Sequence, residues 1–300
     1  MMPKTVRIVD VGPRDGLQNE AAIVPVAAKI RLIESLADAG LSAVEAGAFV
    51  SPKWVPQMAD SAEVISKINR RPGTRYPVLV PNIKGLESAL AAAPIDEIAI
   101  FGAASETFSQ RNINCSIDES FERFAPVAEI ALSKGIRLRG YVSCVLGCPY
   151  EGYIAPNSVA EVAIRLLDLG CSEISLGDTT GVGTPRKAAE MVDAVARKVP
   201  VEKLAAHFHD TWGQALVNLY AVLNLGVSVI DSSVAGLGGC PYAPGAAGNV
   251  ATEDVIYMLH GIGIETGVDL TKVAAAGQEI CQVLGRKPVS RTAQALQAQK

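Results

Sequence analysis

Short apolar stretches alternate with longer amphipathic stretches along the whole chain. The short stretches are rich in Val and Ile, whereas the longer ones contain mostly Ala, Leu, Glu and Lys. Brief apolar runs are typical of buried strands and longer periodic runs of helices, so the pattern predicts repeated β–α units. The predicted strands are Thr5–Val11, Ala43–Ala46, Tyr76–Val80, Glu97–Phe101, Arg137–Val142, Glu173–Leu176, Leu204–Phe208 and Val229–Ser233.

Amphipathic segments between these strands predict the helices. The clearest are Val26–Ala39, Ser120–Lys134, Ser158–Leu169, Pro185–Arg197 and Gln214–Leu225. Alternation of this kind implies a parallel sheet covered by helices, and about eight units in one chain favour a closed (β/α)8 barrel, the TIM barrel. A further helix or two, from about Leu270 to Leu284, extends past the eighth unit. We therefore expect an α/β fold in which residues 1–300 form a single barrel domain with extra C-terminal helices.

Composition limits the possible partners. The chain is 49% hydrophobic and carries a formal net charge of -4, with no basic block. A nucleic-acid partner therefore has no electrostatic support. The uncharged stretch 211–230 contains polar residues and divides into a helix and a strand, and the first residues resemble neither a signal peptide nor a transit peptide. We expect a cytoplasmic protein with no membrane span.

Polar residues follow or end several of the predicted strands. In a barrel of this kind the active site lies at the C-terminal ends of the strands. The residues expected there are Arg14, Asp15, Glu45, Asn82, Ser143, Asp178, His207, His209 and Asp210. A metal ion and an anionic substrate would account for charges of both signs at one barrel mouth.

His207 and His209 flank Phe208 where the seventh predicted strand runs into a loop. Because strand side chains alternate between faces, both imidazoles point the same way and can reach one metal ion. Two of the three histidines of the chain are concentrated here. The local pattern also permits a hydrogen-bonded core histidine beside a surface histidine, since histidine has structural uses too.

Four segments together resemble the 3-hydroxy-3-methylglutaryl-CoA (HMG-CoA) lyases. They are Val11-Gly-Pro-Arg-Asp-Gly-Leu-Gln-Asn-Glu20, Leu176-Gly-Asp-Thr-Thr-Gly181, His207-Phe-His-Asp-Thr211 and residues 234–253, which contain Gly-Gly-Cys-Pro-Tyr. They occur in the family's order and span most of the chain. A wider superfamily of metal-dependent lyases and acyl-CoA synthases shares the Arg-Asp loop and the histidine pair, whereas the cysteine-bearing loop singles out the lyases.

The resemblance implies a reaction, a cofactor and an assembly. The family cleaves HMG-CoA to acetyl-CoA and acetoacetate with Mg²⁺ or Mn²⁺, its substrate is a CoA thioester, and a homodimer is expected. The implied metal ligands are Asp15, His207, His209 and Asn249. Carboxylate and amide oxygens suit hard cations, and two imidazoles broaden the choice towards Mn²⁺.

The resemblance and the chemistry of the reaction together suggest catalytic roles. The C3 hydroxyl must lose a proton, and Asp15 and His207 are the candidate bases. Arg14 would stabilise the negative charge that develops on the thioester oxygen. Cys240 would protonate the enolate carbon, and Glu45 would orient Arg14 or a metal-bound water.

Each of these interpretations has an alternative. Arg14 and Glu45 could form a structural ion pair, and Asp178, a further catalytic candidate, could simply cap the following helix. Cys240 could be a packing residue beside Pro241. For the whole chain the alternatives are a lyase for a related 3-hydroxyacyl-CoA, a synthase that condenses acetyl-CoA with a 2-oxo acid, and a barrel that binds metal or CoA without turnover.

Overall fold

A ring of parallel strands lies at the centre of the computed structural model, which describes residues 2–240 and 243–299. Hydrogen-bonded neighbours follow the order β2-β1-β9-β8-β7-β6-β5-β4-β3. The strands are β1 (Arg7–Asp10), β2 (Ala43–Val44), β3 (Gly47–Ala48), β4 (Val78–Leu79), β5 (Glu97–Ala103), β6 (Arg137–Ser143), β7 (Glu173–Asp178), β8 (Leu204–Phe208) and β9 (Val229–Ser232).

The two ends of this strand order meet. β2 and β3 are segments of one barrel strand, separated only by Glu45 and Ala46. The Glu45 N–H donates to the Asp10 carbonyl oxygen at 2.9 Å, and the Ala46 N–H donates to the Pro77 carbonyl oxygen at 2.8 Å. Within the described residues the ring therefore closes with eight strands, which confirms the predicted TIM barrel.

Helices follow the strands and cover the barrel. They are α1 (Val26–Asp38), α2 (Ser61–Lys67), α3 (Ile83–Ala92), α4 (Glu106–Ile113), α5 (Ile117–Ser133), α6 (Pro156–Asp168), α7 (Pro185–Ala196), α8 (Ala215–Leu223), α9 (Thr252–Gly261), α10 (Leu270–Val283) and α11 (Arg291–Ala298). α5 begins at a capping box, because the Ser116 side chain accepts from the Glu119 N–H and the Glu119 side chain accepts from the Ser116 N–H. α10 packs against α1, and α10 and α11 are the expected C-terminal additions.

Several predicted boundaries were wrong. The first strand is shorter than Thr5–Val11, and Tyr76–Val80 shrinks to the two residues of β4. Pro77 has no N–H to donate, so it interrupts the ladder between the Ala43–Arg75 bridge and β4. Glu45 lies inside an interrupted strand rather than at its end, because the segment before it, β2, pairs with β1 and the segment after it, β3, pairs with β4.

Two loops meet at the C-terminal end of the barrel. Gly12–Gly16 forms one π-helical turn after β1, and Val234–Gly236 forms a 3-10 turn that leads to the hairpin β10 (Gly239–Cys240) and β11 (Ala243–Ala247). A Cβ atom at Gly16 would lie 2.7 Å from the Leu237 Cβ, so the close approach of the two loops requires glycine there. In the described ranges no helix is both long and apolar enough to cross a membrane.

Candidate active site

A pocket of about 1000 Å³ opens at the C-terminal ends of the strands. Its polar wall includes Arg14, Asp15, His207 and His209, and the Asn82 and Ser143 positions also line it. Its apolar wall is formed by residues such as Leu79, Phe101, Phe108 and Phe124. The pocket therefore lies where barrel enzymes place their chemistry, and it has room for a substrate with an extended tail.

Asp15, His207 and His209 form one cluster. Each contributes a potential ligand atom, and these atoms lie within 4.8 Å of one another. Asp15 follows β1 in the π-helical turn, whereas the two histidines come from the end of β8 and the residue after it. Both histidines are buried at 8% exposure, so the alternative of a core histidine beside a surface histidine was wrong.

Asn249 brings an amide to the same cluster. His209 and Asn249 form an isolated antiparallel bridge, and the Asn249 Nδ2 donates to Asp15 Oδ2 at 2.7 Å. Asn249 follows β11, so this contact connects the hairpin to the first loop. The four side chains that the family resemblance predicts as ligands are therefore neighbours.

The protonation states of this cluster suit a divalent cation. Burial raises the pKa of Asp15, but the neighbouring Arg14, His207, His209 and Asn249 outweigh burial and leave that pKa below its usual value. Burial and the proximity of His207 lower the pKa of His209 to about 4. A carboxylate and a neutral imidazole are the forms in which these groups bind metals, so the donor set fits a divalent ion.

Arg14 lies between two carboxylates. Its guanidinium is 2.8 Å from Asp15 Oδ1 and 2.8 Å from Glu45 Oε2, and its Cζ lies 5.6 Å from the centre of the Tyr141 ring. Burial lowers the pKa of Arg14, but Glu45 and Asp15 raise it by a larger amount, so the guanidinium keeps its positive charge. Burial raises the pKa of Glu45 despite this pairing. The ion pair of the structural alternative is thus present, and its Arg14 lines the pocket.

The remaining catalytic candidates are Asp178 and Cys240. Asp178 is fully buried at the end of β7, and its Oδ2 accepts from the Gly183 N–H at 2.9 Å. It binds the loop that precedes α7, whose N-cap is Thr184 rather than Asp178. Burial raises the pKa of Asp178 to about 6. The Cys240 side chain lies outside the described residues, although its neighbour Gly239 lines the pocket.

Comparison with known proteins identifies the family. The family model described as HMGL-like matches residues 5–280. The chain belongs to the HMGL-like family.

Curated relatives and a solved structure agree with this assignment. The mitochondrial hydroxymethylglutaryl-CoA lyase of Bos taurus is 62% identical over 293 residues, which cover 98% of this chain and 90% of the bovine one. A 3-hydroxy-3-isohexenylglutaryl-CoA/hydroxymethylglutaryl-CoA lyase of Pseudomonas aeruginosa is 60% identical over 297 residues, 99% of each chain. The crystal structure of hydroxymethylglutaryl-CoA lyase from Pseudomonas aeruginosa superposes with a TM-score of 0.98 at 60% identity, covering 100% of this chain and 99% of that one.

Sequence reasoning missed the buried charges below the cluster. Asp231 on β9 contacts His207, and Arg139 on β6 binds Asp231 and Glu173. Asp231, Arg139 and Glu173 all lie within predicted strands, which were identified by their apolar residues. The available signal was a charged residue inside an otherwise apolar strand, as in Val229-Ile-Asp-Ser232. Buried charges are costly unless they are paired, so such a residue indicates a partner on a neighbouring strand.

Proposed function

We propose that this chain is a divalent-metal-dependent carbon–carbon lyase that cleaves (S)-3-hydroxy-3-methylglutaryl-CoA to acetyl-CoA and acetoacetate. The observation that carries the proposal is the convergence of Asp15, His207 and His209 beside Arg14 in the large pocket. The names of the family relatives support the substrate and the reaction.

Asp15, His207, His209 and Asn249 would hold the metal ion. When bound, Mg²⁺ or Mn²⁺ would supply Lewis-acid activation of the C3 hydroxyl. The two imidazoles make Mn²⁺ as suitable as Mg²⁺. The Asn249 contact with Asp15 also means that metal binding and the position of the hairpin are coupled.

The bond-breaking step requires one base and one fixed positive charge. The C3 hydroxyl gives up its proton as the C2–C3 bond breaks, C3 becomes the ketone of acetoacetate, and the electron pair moves to the thioester oxygen of the departing acetyl-CoA. Asp15 and His207 are the groups that could take this proton. Arg14 would stabilise the charge on the thioester oxygen, while Glu45, at 2.8 Å, orients the guanidinium.

The departing enolate needs a proton on its carbon. Cys240 is our candidate donor, since it lies on the hairpin next to Gly239 at the pocket. A glycine-rich hairpin that closes over the pocket would also exclude water during this step. Asp178 has a supporting role in this scheme, because one of its carboxylate oxygens holds the loop before α7.

A test of the proposal follows acetoacetate release from HMG-CoA with Mg²⁺, with and without EDTA. We expect turnover that EDTA abolishes and added Mg²⁺ or Mn²⁺ restores. His260→Asn is the matched control, since His260 is hydrogen-bonded to Thr266 and does not line the active-site pocket. It should behave like the unaltered protein. Bound metal without any product would contradict the HMG-CoA assignment.

A second candidate substrate has a longer C3 substituent. The Pseudomonas relative is named for both an isohexenylglutaryl-CoA and HMG-CoA, and the pocket here has an apolar wall that includes Phe101 and Phe124. The ratio of kcat/KM values for the two thioesters decides between them. The condensing synthase is less well supported, because the close relatives are named as lyases.

The remaining expectations belong to the same proposal. We propose a role in leucine degradation, a homodimer, a cytoplasmic location and one catalytic domain over residues 1–300. The mammalian relatives are named as mitochondrial, so the compartment needs its own measurement by fractionation. Size-exclusion chromatography with light scattering tests the dimer.

A further inference from the structure

The imidazole of His207 has contacts at both ring nitrogens. Its Nε2 lies 3.9 Å from Asp15 Oδ2, on the side of the metal cluster. Its Nδ1 lies 3.2 Å from Asp231 Oδ2, on the opposite side. His207 and Asp231 are register partners on the adjacent strands β8 and β9, so the barrel itself sets this second contact.

Asp231 is a buried carboxylate that accepts hydrogen bonds from Arg139 and Ser175. Arg139 donates from Nη1 to Oδ2 at 3.0 Å and from Nη2 to Oδ1 at 2.7 Å, and the Ser175 hydroxyl donates to Oδ2 at 2.7 Å. A guanidinium that donates to both oxygens and a hydroxyl that donates to one of them are the partners of an ionised carboxylate. The side chain is therefore ionised and can only accept hydrogen bonds.

We propose that Asp231, held by Arg139 and Ser175, is a positioning residue that keeps His207 in its Nδ1-protonated tautomer, with the Nε2 lone pair facing Asp15 and His209. An ionised carboxylate has no proton to give, so the 3.2 Å contact needs the proton on Nδ1. A neutral imidazole then carries its lone pair on Nε2, the form that binds a metal. The consequence for catalysis rests on the proposed function; the tautomer itself does not.

The same arginine also fixes the aromatic neighbour of His207. Arg139 Nη1 donates to the Tyr141 hydroxyl at 2.8 Å. The Tyr141 ring meets the His207 ring edge-on, with centroids 5.9 Å apart and an interplanar angle of 83°. Arg139 thus holds both the hydrogen-bond partner and the packing partner of the imidazole, which restrains its rotation.

A purely structural role for this charge network is the rival interpretation. Glu173 distinguishes the positioning role from the structural role. It accepts from Arg139 Nε at 2.7 Å, whereas the contact with His207 Nδ1 is made by Asp231. Glu173→Gln disturbs the network and leaves the Asp231 carboxylate in place. It is therefore the matched control for Asp231→Asn.

The first experiment reads the tautomer directly in the metal-free protein. Long-range ¹H–¹⁵N spectra of ¹⁵N-histidine-labelled protein show only three histidines, and His260→Asn assigns one of them. We expect Nδ1–H for His207 in the unaltered protein and in Glu173→Gln. In Asp231→Asn the amide can donate to Nδ1, so we expect the proton on Nε2. An Nε2–H tautomer in the unaltered protein would overturn the proposal even if the variants failed to fold.

The second readout is Mn²⁺ affinity, measured by the EPR signal of the free ion. Groups that orient a metal-binding histidine contribute about 10- to 100-fold to affinity. We expect a weakening of that size in Asp231→Asn and no more than about threefold in Glu173→Gln. Equal weakening in both variants would show a structural role only. If the expected tautomers occur without HMG-CoA turnover, the proposed function fails and the positioning role of Asp231 remains.

Discussion

Two regions at the barrel mouth bury carboxyl groups among different partners. In the first region, the candidate metal site, Asp15 faces the Arg14 guanidinium, two imidazoles and the Asn249 amide. The second region, the loop root, consists of Asp10, Thr252 and Glu253. There Asp10 accepts from the Gly12 N–H at 2.8 Å and from the Thr252 hydroxyl at 2.7 Å, and Glu253 accepts from the Ala235 N–H at 3.0 and 2.9 Å.

The partners give the two regions different charges. The pKa of Asp15 lies below its usual value because nearby cationic groups and an amide outweigh the effect of burial. Burial raises the pKa of Asp10 to about 7 and that of Glu253 to about 8, since backbone N–H groups and a hydroxyl compensate less. Acidic side chains are thus charged in one region, as a metal ligand would be, and anchor loop backbone in the other.

Replacing Asp by Asn should reduce turnover strongly in the first region and only slightly in the second. Asp15→Asn removes a proposed metal ligand, and we expect HMG-CoA turnover to fall by more than about a hundredfold, because even residues that only orient ligands contribute up to that amount. Asp10→Asn keeps an acceptor for the Gly12 N–H, and we expect kcat/KM within about threefold. Steady-state rates at saturating Mn²⁺ measure both. Equal losses would remove the distinction between the regions.

Arg14 should separate transition-state stabilisation from metal binding. Arg14→Gln removes the charge that we propose stabilises the thioester oxygen, and we expect kcat to fall by about a hundred- to a thousandfold. Mn²⁺ affinity should change far less, since Asp15 and the histidines remain. Arg75→Gln is the control, because Arg75 pairs with Glu97, which is not a pocket residue. A parallel loss of Mn²⁺ affinity would contradict the role of Arg14.

Cys240→Ser tests the proton donor on the hairpin. A hydroxyl is a much weaker acid than a thiol, so we expect kcat to fall by about a hundredfold, within the range for a lost general acid. Cys281→Ser changes a cysteine buried on α10 and should leave kcat intact. A loss of only a few-fold in Cys240→Ser would favour its alternative role as a packing residue.

The smallest expected effect is a pH dependence of stability that originates at the loop root. The pKa of Glu253 is raised in the folded state, from 4.5 to about 8, so the folded state holds the proton more tightly. Its contribution is therefore fully present below pH 4.5 and is lost as the pH rises to about 8. Asp10 adds to the same trend.

Urea unfolding across this pH range measures the effect. We expect Glu253→Gln to flatten the decline, because a neutral amide does not titrate. Glu63 is exposed, so Glu63→Gln serves as the control. It should show the same decline of unfolding free energy with pH as the unaltered protein. An unchanged slope in Glu253→Gln would show that this carboxyl does not carry the effect.

The sequence predicted the barrel and the residues near its mouth because both follow from local rules. Periodicity gives the β–α units, alternation places His207 and His209 on one face, and the barrel rule places Arg14 and Asp15 beside them. The family resemblance added Asn249, whose contact with Asp15 spans the two loops.

The interior partners could not be predicted in the same way. The His207–Asp231 contact depends on the register of β8 and β9, and the Arg139–Asp231 pair joins β6 to β9 across the barrel interior. Glu45 lies in an interruption that depends on where the strand changes hydrogen-bonding neighbour. These are long-range relations between strands, and local propensity contains no information about them.

The most direct test of the account is pulsed EPR of Mn²⁺ bound to the protein. If Asp15, His207 and His209 hold the ion, the spectrum must show one bound Mn²⁺ for each chain, coupled to the nitrogens of two imidazoles. His209→Gln should remove one of these couplings, and His260→Asn neither. Bound Mn²⁺ without any nitrogen coupling, or no stoichiometric binding, would contradict the assignment of this cluster as the metal site.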